Sequence, residues 1–165
     1  MKQYKVIFAD LDGTLIDTIS GETFPKGIWD MSIKFDVLDK IKELKPKYLL
    51  IVTNQGGIEK GFIDEWRFRH KLEYICSSIK EYCGCEEVFS SYCTSNDKTD
   101  PNRKPNTGML EHLTETFVGD DFDYIKSKSL MMGDASGKEG QFSDSDKRCA
   151  ENFGIDYLDV NDFVK

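Results

Sequence analysis

Two aspartates separated by one residue, Asp10 and Asp12, directly follow a short apolar run, Val6–Ala9. The run is typical of a buried strand, and the alternation of side chains along a strand would place both carboxylates on one side. Keeping two such carboxylates ionised is unfavourable unless a cation or a shared proton offsets their repulsion. Oxygen ligands favour Mg²⁺, which binds one or two carboxylates together with a substrate phosphate. A solvated turn is the alternative, since Asp and Gly are common turn residues.

Three further groups of residues have side chains that are suited to binding a phosphate or a metal ion. Thr53 and Asn54 end an apolar run and offer a hydroxyl and a backbone N–H. Lys104 ends a polar loop and offers a point charge for a phosphoryl oxygen, and Asp134 offers another carboxylate after a fourth apolar run. Each of these groups is ordinary in isolation: a turn start, a solvated lysine, a loop aspartate. Their order and their positions at strand ends indicate a single site.

Five predicted strands alternate with helical patterns. The strands cover residues 6–9, 48–52, 88–92, 129–132 and 155–158. Helices are predicted from an N-cap at Asp36 to Lys45, over 62–82, from Asn106, and from Ser143 or Asp144 to Gly154. This alternation predicts a parallel sheet covered on both faces, with ligands beyond the carboxyl ends of the strands. We expect one α/β domain over 1–165, a three-layer Rossmann-like fold with its site at the first, second and fourth strands.

Four motifs in this order resemble those of the haloacid dehalogenase-like phosphohydrolases. They are Asp10-Leu11-Asp12-Gly13-Thr14, Thr53-Asn54, Lys104 and Gly133-Asp134. The resemblance implies that Asp10 is the nucleophile that forms an aspartyl-phosphate and that Asp12 is the general acid and later the base. It implies that Thr53 and Lys104 orient and neutralise the phosphoryl group. It further implies that Asp134, Asp10 and the backbone carbonyl of Asp12 hold Mg²⁺; whether Asp144 or Asp146 supports this metal site stays open.

The chain is most similar, by its motifs, to the phosphatase domain of polynucleotide kinase 3′-phosphatases. The matching segments include Ser20-Gly21, Phe24-Pro25, Thr53-Asn54-Gln55, Arg103-Lys104-Pro105, Gly133 to Gly137 and Phe142-Ser143. The resemblance implies an enzyme that removes a 3′-phosphate from DNA ends during repair, with Gly13, Asn54 and Arg103 contacting the substrate. Trp29-Asp30, Lys138 and Gln141 depart from the subfamily pattern. No Gly-x-x-x-x-Gly-Lys-Ser/Thr motif occurs, so we expect a stand-alone phosphatase without a nucleotide cofactor.

Two other functions remain open. A small-molecule phosphatase of the histidinol-phosphate or heptose-bisphosphate type shares Thr-Asn-Gln and Arg-Lys-Pro, but its zinc loop of Cys and His is reduced here to Cys93. A catalytically silent phosphate-binding module is the second alternative, and the presence of both Asp10 and Asp12 argues against it. Cys83-Gly84-Cys85 is half a zinc signature, with a helix-end or core role as the alternative. The short spacings between motifs predict a minimal cap or none, which leaves the site open to a polymer end.

The composition of the chain limits the classes of partner that it can bind. The 165 residues carry a net charge of −8, which disfavours a uniformly basic nucleic-acid surface but allows a local patch. Seven cations are candidates for the border of the site, with ordinary solvated surface as the alternative for each: Lys98, Arg103, Lys126, Lys128, Lys138, Lys147 and Arg148. No apolar run approaches the ~18 residues of a membrane span, and no signal peptide is visible. We expect a soluble intracellular monomer with free cysteines and no membrane partner.

Overall fold

A computed structural model describes residues 2–165. The seven strands in this range are β1 (Val6–Ala9), β2 (Ile16–Asp17), β3 (Ser32–Ile33), β4 (Tyr48–Asn54), β5 (Glu87–Cys93), β6 (Ser129–Gly133) and β7 (Asp156–Asp159). Five of them form one sheet in the order β5-β4-β1-β6-β7, and every neighbouring pair is parallel. Ala9 at the end of the central strand β1 pairs with Ile51 and with Met132. The predicted α/β fold with a parallel sheet is confirmed.

The helices lie between these strands. They are α1 (Phe35–Leu44), α2 (Gly56–Glu59), α3 (Glu65–Cys83), α4 (Gly108–Leu113), α5 (Phe122–Ser127), α6 (Ser145–Phe153) and α7 (Val160–Phe163), and α4 continues into a π-helical segment, Thr114–Val118. All four predicted helices are present. The short elements α2, α5, α7, β2 and β3 were not predicted, because two to six residues carry too little periodicity to identify them.

Three predicted helix starts are displaced. Asp36 is not an N-cap, since α1 already begins at Phe35, with Lys34 at the N-cap position. The long helix starts at Glu65 rather than at residue 62, because the Asp64 side chain accepts a hydrogen bond from the Arg67 backbone N–H and caps it there. The N-cap of α4 is Thr107 rather than Asn106. Asp144 is the N-cap residue of α6, one of the two positions predicted for it.

Alternating side chains along the strands fill two cores, one on each face of the sheet. Ile7, Leu49 and Leu130 face one core, which α1, α3 and α7 cover. Phe8 and Leu50 face the other, which α4, α5 and α6 cover. Each face of the sheet is therefore protected by helices, and the site is left to the edges of the strands.

Cys83 ends α3, and Gly84 follows it in the left-handed conformation with φ 68°. Cys83 and Cys85 are both buried in the core with α1 and α3. All five cysteines are free thiols. The position of this pair favours the helix-end and core interpretation of the Cys-Gly-Cys segment.

The segment between β1 and α1 contains two short strands. Its short strands β2 and β3 form an antiparallel pair in which Ile16 faces Ile33. We call residues 16–34 the flap. Within residues 2–165, no helix has both the length and the apolar character needed to cross a membrane.

Candidate active site

The carboxyl edge of the sheet gathers the predicted residues. Asp10 directly follows β1, Thr53 and Asn54 end β4, and Asp134 directly follows β6. Since β4, β1 and β6 are adjacent and parallel, their ends meet at one edge. Asp10 and Thr53 are buried, whereas Asp134 is partly exposed.

Lys104 reaches this edge from the polar loop that follows β5. Its side chain is buried, and its Nζ donates hydrogen bonds of 2.7 Å to Asp10 Oδ1 and 2.7 Å to Asp146 Oδ1. Burial alone would lower the pKa of Lys104, but the charges of Asp10 and Asp146 raise it above its ordinary value. The lysine is therefore a fixed cation beside Asp10, which is the charge that a phosphoryl group requires.

Asp10, Asp134 and Asp146 form an acidic cluster, in which one carboxylate oxygen of each lies within 4.8 Å of the others. Oδ1 of Asp134 is buried and has no hydrogen-bond partner among residues 2–165. Burial raises the pKa of Asp134 above the usual range of an aspartate, and the charges of Asp10 and Asp146 raise it further. An unpartnered oxygen in a set of hard oxygen ligands fits a divalent cation such as Mg²⁺.

Asp146, rather than Asp144, joins this cluster. Asp146 is buried in the first turn of α6, where it also accepts a hydrogen bond of 3.1 Å from the Ala135 backbone N–H. Asp144 is exposed and lies 4.0 Å from Arg148. Burial raises the pKa of Asp146, and the positive charge of Lys104 opposes this effect. The sequence carried both aspartates at the start of one helix, and only packing distinguishes them.

Two glycines make room for the cluster. A Cβ atom at Gly13 would overlap the carboxylate of Asp134, and Gly13 also has φ 76°. A Cβ atom at Gly133 would overlap the side chain of Asp146. Gly13 therefore acts by permitting the close approach of Asp134. Its predicted contact with substrate stays a prediction.

The Asp12 carboxylate lies apart from the acidic cluster and is held by Gln55. Nε2 of Gln55 donates to Asp12 Oδ2 at 2.8 Å and to Thr53 Oγ1 at 2.9 Å. Gln55 is buried, so this amide fixes the positions of both side chains. The sequence pointed to Gln55 only as part of the Thr-Asn-Gln motif, and its role was missed. The metal contact predicted for the Asp12 backbone carbonyl stays a prediction.

Asn54 and Arg103 position the loop that carries Lys104. The Asn54 side chain forms hydrogen bonds with both the N–H and the C=O of Lys104, each 3.0 Å long. Arg103 Nη1 donates to the Ser95 carbonyl at 2.9 Å within the same loop. The Lys104–Pro105 peptide bond is cis. Direct substrate contacts of Asn54 and Arg103 stay predictions.

A cavity of about 300 Å³ opens between Asp12 and the flap. Its lining residues are Asp12, Gly13, Ile16, Asp17, Thr18, Gly21, Glu22 and Asp30. Beneath it, Lys71 of α3 is buried; burial lowers its pKa, while the charges of Asp12 and Asp30 oppose that shift. The mouth of the site is thus acidic on the side of the flap.

Two of the seven candidate cations lie away from the site. The Lys128 carbonyl accepts a hydrogen bond of 3.2 Å from the N–H of Val6, the first residue of β1. Nζ of Lys126, two residues earlier, lies 4.6 Å from the ring centroid of Phe153 at the end of α6. Both lysines are at the amino edge of the sheet, opposite the acidic cluster. For Lys126 and Lys128 the alternative of ordinary surface applies, because both precede the amino end of β6.

Comparisons with known proteins identify the family of this chain. A model of the polynucleotide kinase 3 phosphatase family matches residues 5–163. An uncharacterized 20.8 kDa protein of Autographa californica nuclear polyhedrosis virus is 32% identical over 175 residues, covering 99% of this chain and 87% of the viral protein. The bifunctional polynucleotide phosphatase/kinase of Schizosaccharomyces pombe is 33% identical over 160 residues. That match covers 94% of this chain but only 36% of the yeast protein.

A solved structure shares the fold. The crystal structure of D,D-heptose 1.7-bisphosphate phosphatase from B. bronchiseptica, complexed with magnesium and phosphate, has a TM-score of 0.67 and 20% identity. The similarity covers 93% of this chain and 78% of that one.

Proposed function

The chain belongs to the polynucleotide kinase 3 phosphatase family, a family of haloacid dehalogenase-like phosphatases, and we propose that it removes the 3′-phosphate from DNA ends. The observation that carries the proposal is the pairing of Lys104 with Asp10. A buried cation within 2.7 Å of a carboxylate at the sheet edge supplies both a nucleophile and a charge for the incoming phosphoryl oxygens. The choice of a nucleic-acid 3′ end as the substrate rests on membership of this family.

The proposed reaction has two steps. A carboxylate oxygen of Asp10 attacks phosphorus, the bond from phosphorus to the 3′-oxygen breaks, and Asp12 gives its proton to the leaving oxygen. Asp12 then takes a proton from water, whose oxygen attacks the aspartyl-phosphate and releases inorganic phosphate and free Asp10. The hydrogen bond from Gln55 supports the assignment of Asp10 as nucleophile and Asp12 as acid and base, because it keeps Asp12 apart from the acidic cluster and beside the cavity.

Asp10, Asp134 and Asp146 would hold Mg²⁺ in the proposed enzyme, with the backbone carbonyl of Asp12 as a further ligand. The cation would neutralise charge on the phosphoryl oxygens and among the three carboxylates. Thr53, whose hydroxyl accepts a hydrogen bond from Gln55, would donate its own proton to a phosphoryl oxygen. Lys104 would supply the fixed positive charge on the other side.

A sugar-phosphate substrate is the second candidate, and the flap favours it. Asp17, Glu22 and Asp30 line the cavity beside Asp12. Carboxylates accept hydrogen bonds from sugar hydroxyls, whereas they repel the phosphodiesters of a polymer. The DNA-end proposal therefore requires the strand to leave the site without passing through this acidic cavity.

A phosphate-release panel separates these functions. The substrates are a 3′-phosphorylated oligonucleotide, the same oligonucleotide with a 5′-phosphate, histidinol phosphate, a heptose bisphosphate and an aryl phosphate. We expect the highest kcat/KM on the 3′-phosphate, and Asp10→Asn, in a preparation verified to be undeamidated, should have no multiple-turnover activity. A far higher kcat/KM on a small metabolite would reject the DNA-end proposal. Absence of all hydrolysis would favour the silent phosphate-binding module.

A further inference from the structure

An exposed set of aromatic rings lies on the first half of α3 and on the flap beside it. Trp66, His70 and Tyr74 are four residues apart, a spacing that brings side chains to one side of a helix. Trp66 is 67% exposed and Tyr74 is 54% exposed. The rings of Trp66 and His70 have centroids 4.7 Å apart, and Trp29 of the flap packs edge-on against Tyr74 at 5.7 Å. We call these four residues the aromatic face.

Two arginines flank the aromatic face. Arg67 and Arg69 are exposed, and neither forms an ion pair with any residue in the range 2–165. Glu65, the acidic residue nearest to them in the first turn, instead accepts a hydrogen bond of 3.0 Å from Tyr92. The surface therefore combines exposed rings with two cations that form no ion pair among residues 2–165. Asp64, whose carboxylate accepts from the Arg67 N–H, and Glu73 lie on the same stretch of the helix.

The aromatic face is continuous with the mouth of the site. Trp29 precedes Asp30, which lines the cavity beside Asp12. From the other side, the buried Lys71 of α3 lies close enough to Asp12 and Asp30 for their charges to act on it. The helix that presents Trp66 and Tyr74 therefore also carries Lys71 to two of the carboxylates that line the cavity.

We propose that the aromatic face binds the single strand that ends in the 3′-phosphate, with bases stacked on Trp66, Tyr74 and Trp29. Arg67 and Arg69 contact its phosphates. Exposed rings beside unpaired cations are the combination that binds single strands without sequence preference. From Trp66 to Tyr74 the helix rises about 12 Å, room for about three stacked nucleotides. This inference rests on the proposed function.

Tryptophan emission tests the surface without a label, because the chain has only two tryptophans, Trp29 and Trp66, and both belong to the aromatic face. The probe is an octathymidylate without a terminal phosphate. We expect it to quench the emission, with weaker quenching as salt increases. Trp66→Ala, followed by the emission of Trp29, and Tyr74→Ala should each weaken its binding by about fivefold or more, the lower end of the range for one stacked base. Tyr124→Ala is the matched control, since Tyr124 is 47% exposed and bonds Lys5 at the amino edge.

Kinetics on substrates of increasing length provide the second test. Wild-type kcat/KM should increase from thymidine 3′-phosphate to 3′-phosphorylated oligothymidylates of four and eight nucleotides. Tyr74→Ala should remove most of this increase and leave thymidine 3′-phosphate and an aryl phosphate unaffected. Tyr124→Ala should behave as wild type.

The outcomes distinguish the two proposals. Unchanged emission with octathymidylate, or the same length dependence in Tyr74→Ala as in wild type, overturns the inference and leaves the proposed function intact. Hydrolysis of the aryl phosphate but of no 3′-phosphorylated substrate overturns the proposed function. In that case the quenching experiment still shows whether the aromatic face binds a single strand. Emission that changes with protein concentration alone, abolished by Tyr74→Ala, would assign the aromatic face to contact between copies and overturn the inference.

Discussion

The side chain of Asn54 forms two hydrogen bonds with the backbone of Lys104. Its Nδ2 donates to the Lys104 carbonyl and its Oδ1 accepts from the Lys104 N–H, both at 3.0 Å. Asn54 ends β4, and Lys104 lies 50 residues later in a loop. These two hydrogen bonds tie the loop to the edge of the sheet, and they fix the backbone from which the buried ammonium reaches Asp10.

Asn54→Ala should therefore lower activity without removing any group from the acidic cluster. Loss of both hydrogen bonds lets Lys104 move, and a displacement of about 1 Å can cost on the order of 100-fold in rate. We also expect a loss of about 1–3 kcal/mol in the free energy of unfolding. The measurements are kcat/KM on an aryl phosphate and urea unfolding. Asn152→Ala, which removes a 3.1 Å bond to the Pro105 carbonyl at the surface, is the control and should retain activity.

The sequence predicted the parts of this site that follow from sheet topology. Asp10, Thr53 and Asp134 each end a buried apolar strand, and parallel strands bring such ends to one edge whatever the loops do. The remaining parts depend on packing at a distance. Nothing in the periodicity of α6 says that Asp146 turns inward while Asp144 stays in solvent. The pairing of Gln55 with Asp12 likewise joins two loops whose separation the sequence does not encode.

Asp146→Asn should raise the Mg²⁺ concentration required for half-maximal activity, on the order of tenfold or more, because it removes one carboxylate of the acidic cluster and weakens the anchor of Lys104. The measurement is a Mg²⁺ titration of phosphate release after treatment with EDTA. Asp144→Asn alters the same charge two residues away in an exposed position and should leave the titration unchanged. Equal effects of the two substitutions would contradict the assignment of Asp146.

Gly133→Ala should have a similar effect through sterics alone. The added Cβ would overlap the Asp146 side chain, which must then move away from Lys104 and Asp10. We expect a fall in kcat/KM of about tenfold or more with a weaker response to Mg²⁺. Gly27→Ala is the matched control, because a Cβ there meets nothing within 4 Å. Wild-type kinetics in a folded Gly133→Ala protein would mean that the cluster tolerates displacement of Asp146.

Asp134→Asn should stabilise the metal-free protein while it abolishes activity. The Asp134 carboxylate lies beside Asp10 and Asp146 with one oxygen unpartnered, so its charge opposes folding when no cation is bound. We expect the Tm to rise by roughly 2–4 °C, about 1 kcal/mol. Mg²⁺ should raise the Tm of the wild type by mass action but have little effect on the variant. A lower Tm for Asp134→Asn in EDTA would show that this carboxylate stabilises the fold by itself.

Salt should weaken activity on a 3′-phosphorylated oligonucleotide more steeply than activity on an aryl phosphate. The chain carries a net charge of −8, so a strand must gain its affinity from local cations such as Arg67 and Arg69. Each phosphate contact on a single strand contributes a slope of about −0.7 to log affinity against log salt, so two contacts predict a slope of about −1.4 for kcat/KM below saturation. The aryl phosphate, which has no second phosphate, should show only the weak screening that acts at the acidic cluster. The double variant Arg67→Gln/Arg69→Gln should bring the oligonucleotide slope close to that of the aryl phosphate. Lys126→Gln/Lys128→Gln, which removes two charges at the amino edge of the sheet, is the charge-matched control. Equal slopes of log kcat/KM against log salt for the two substrates in the wild type would show that the strand does not contact these arginines.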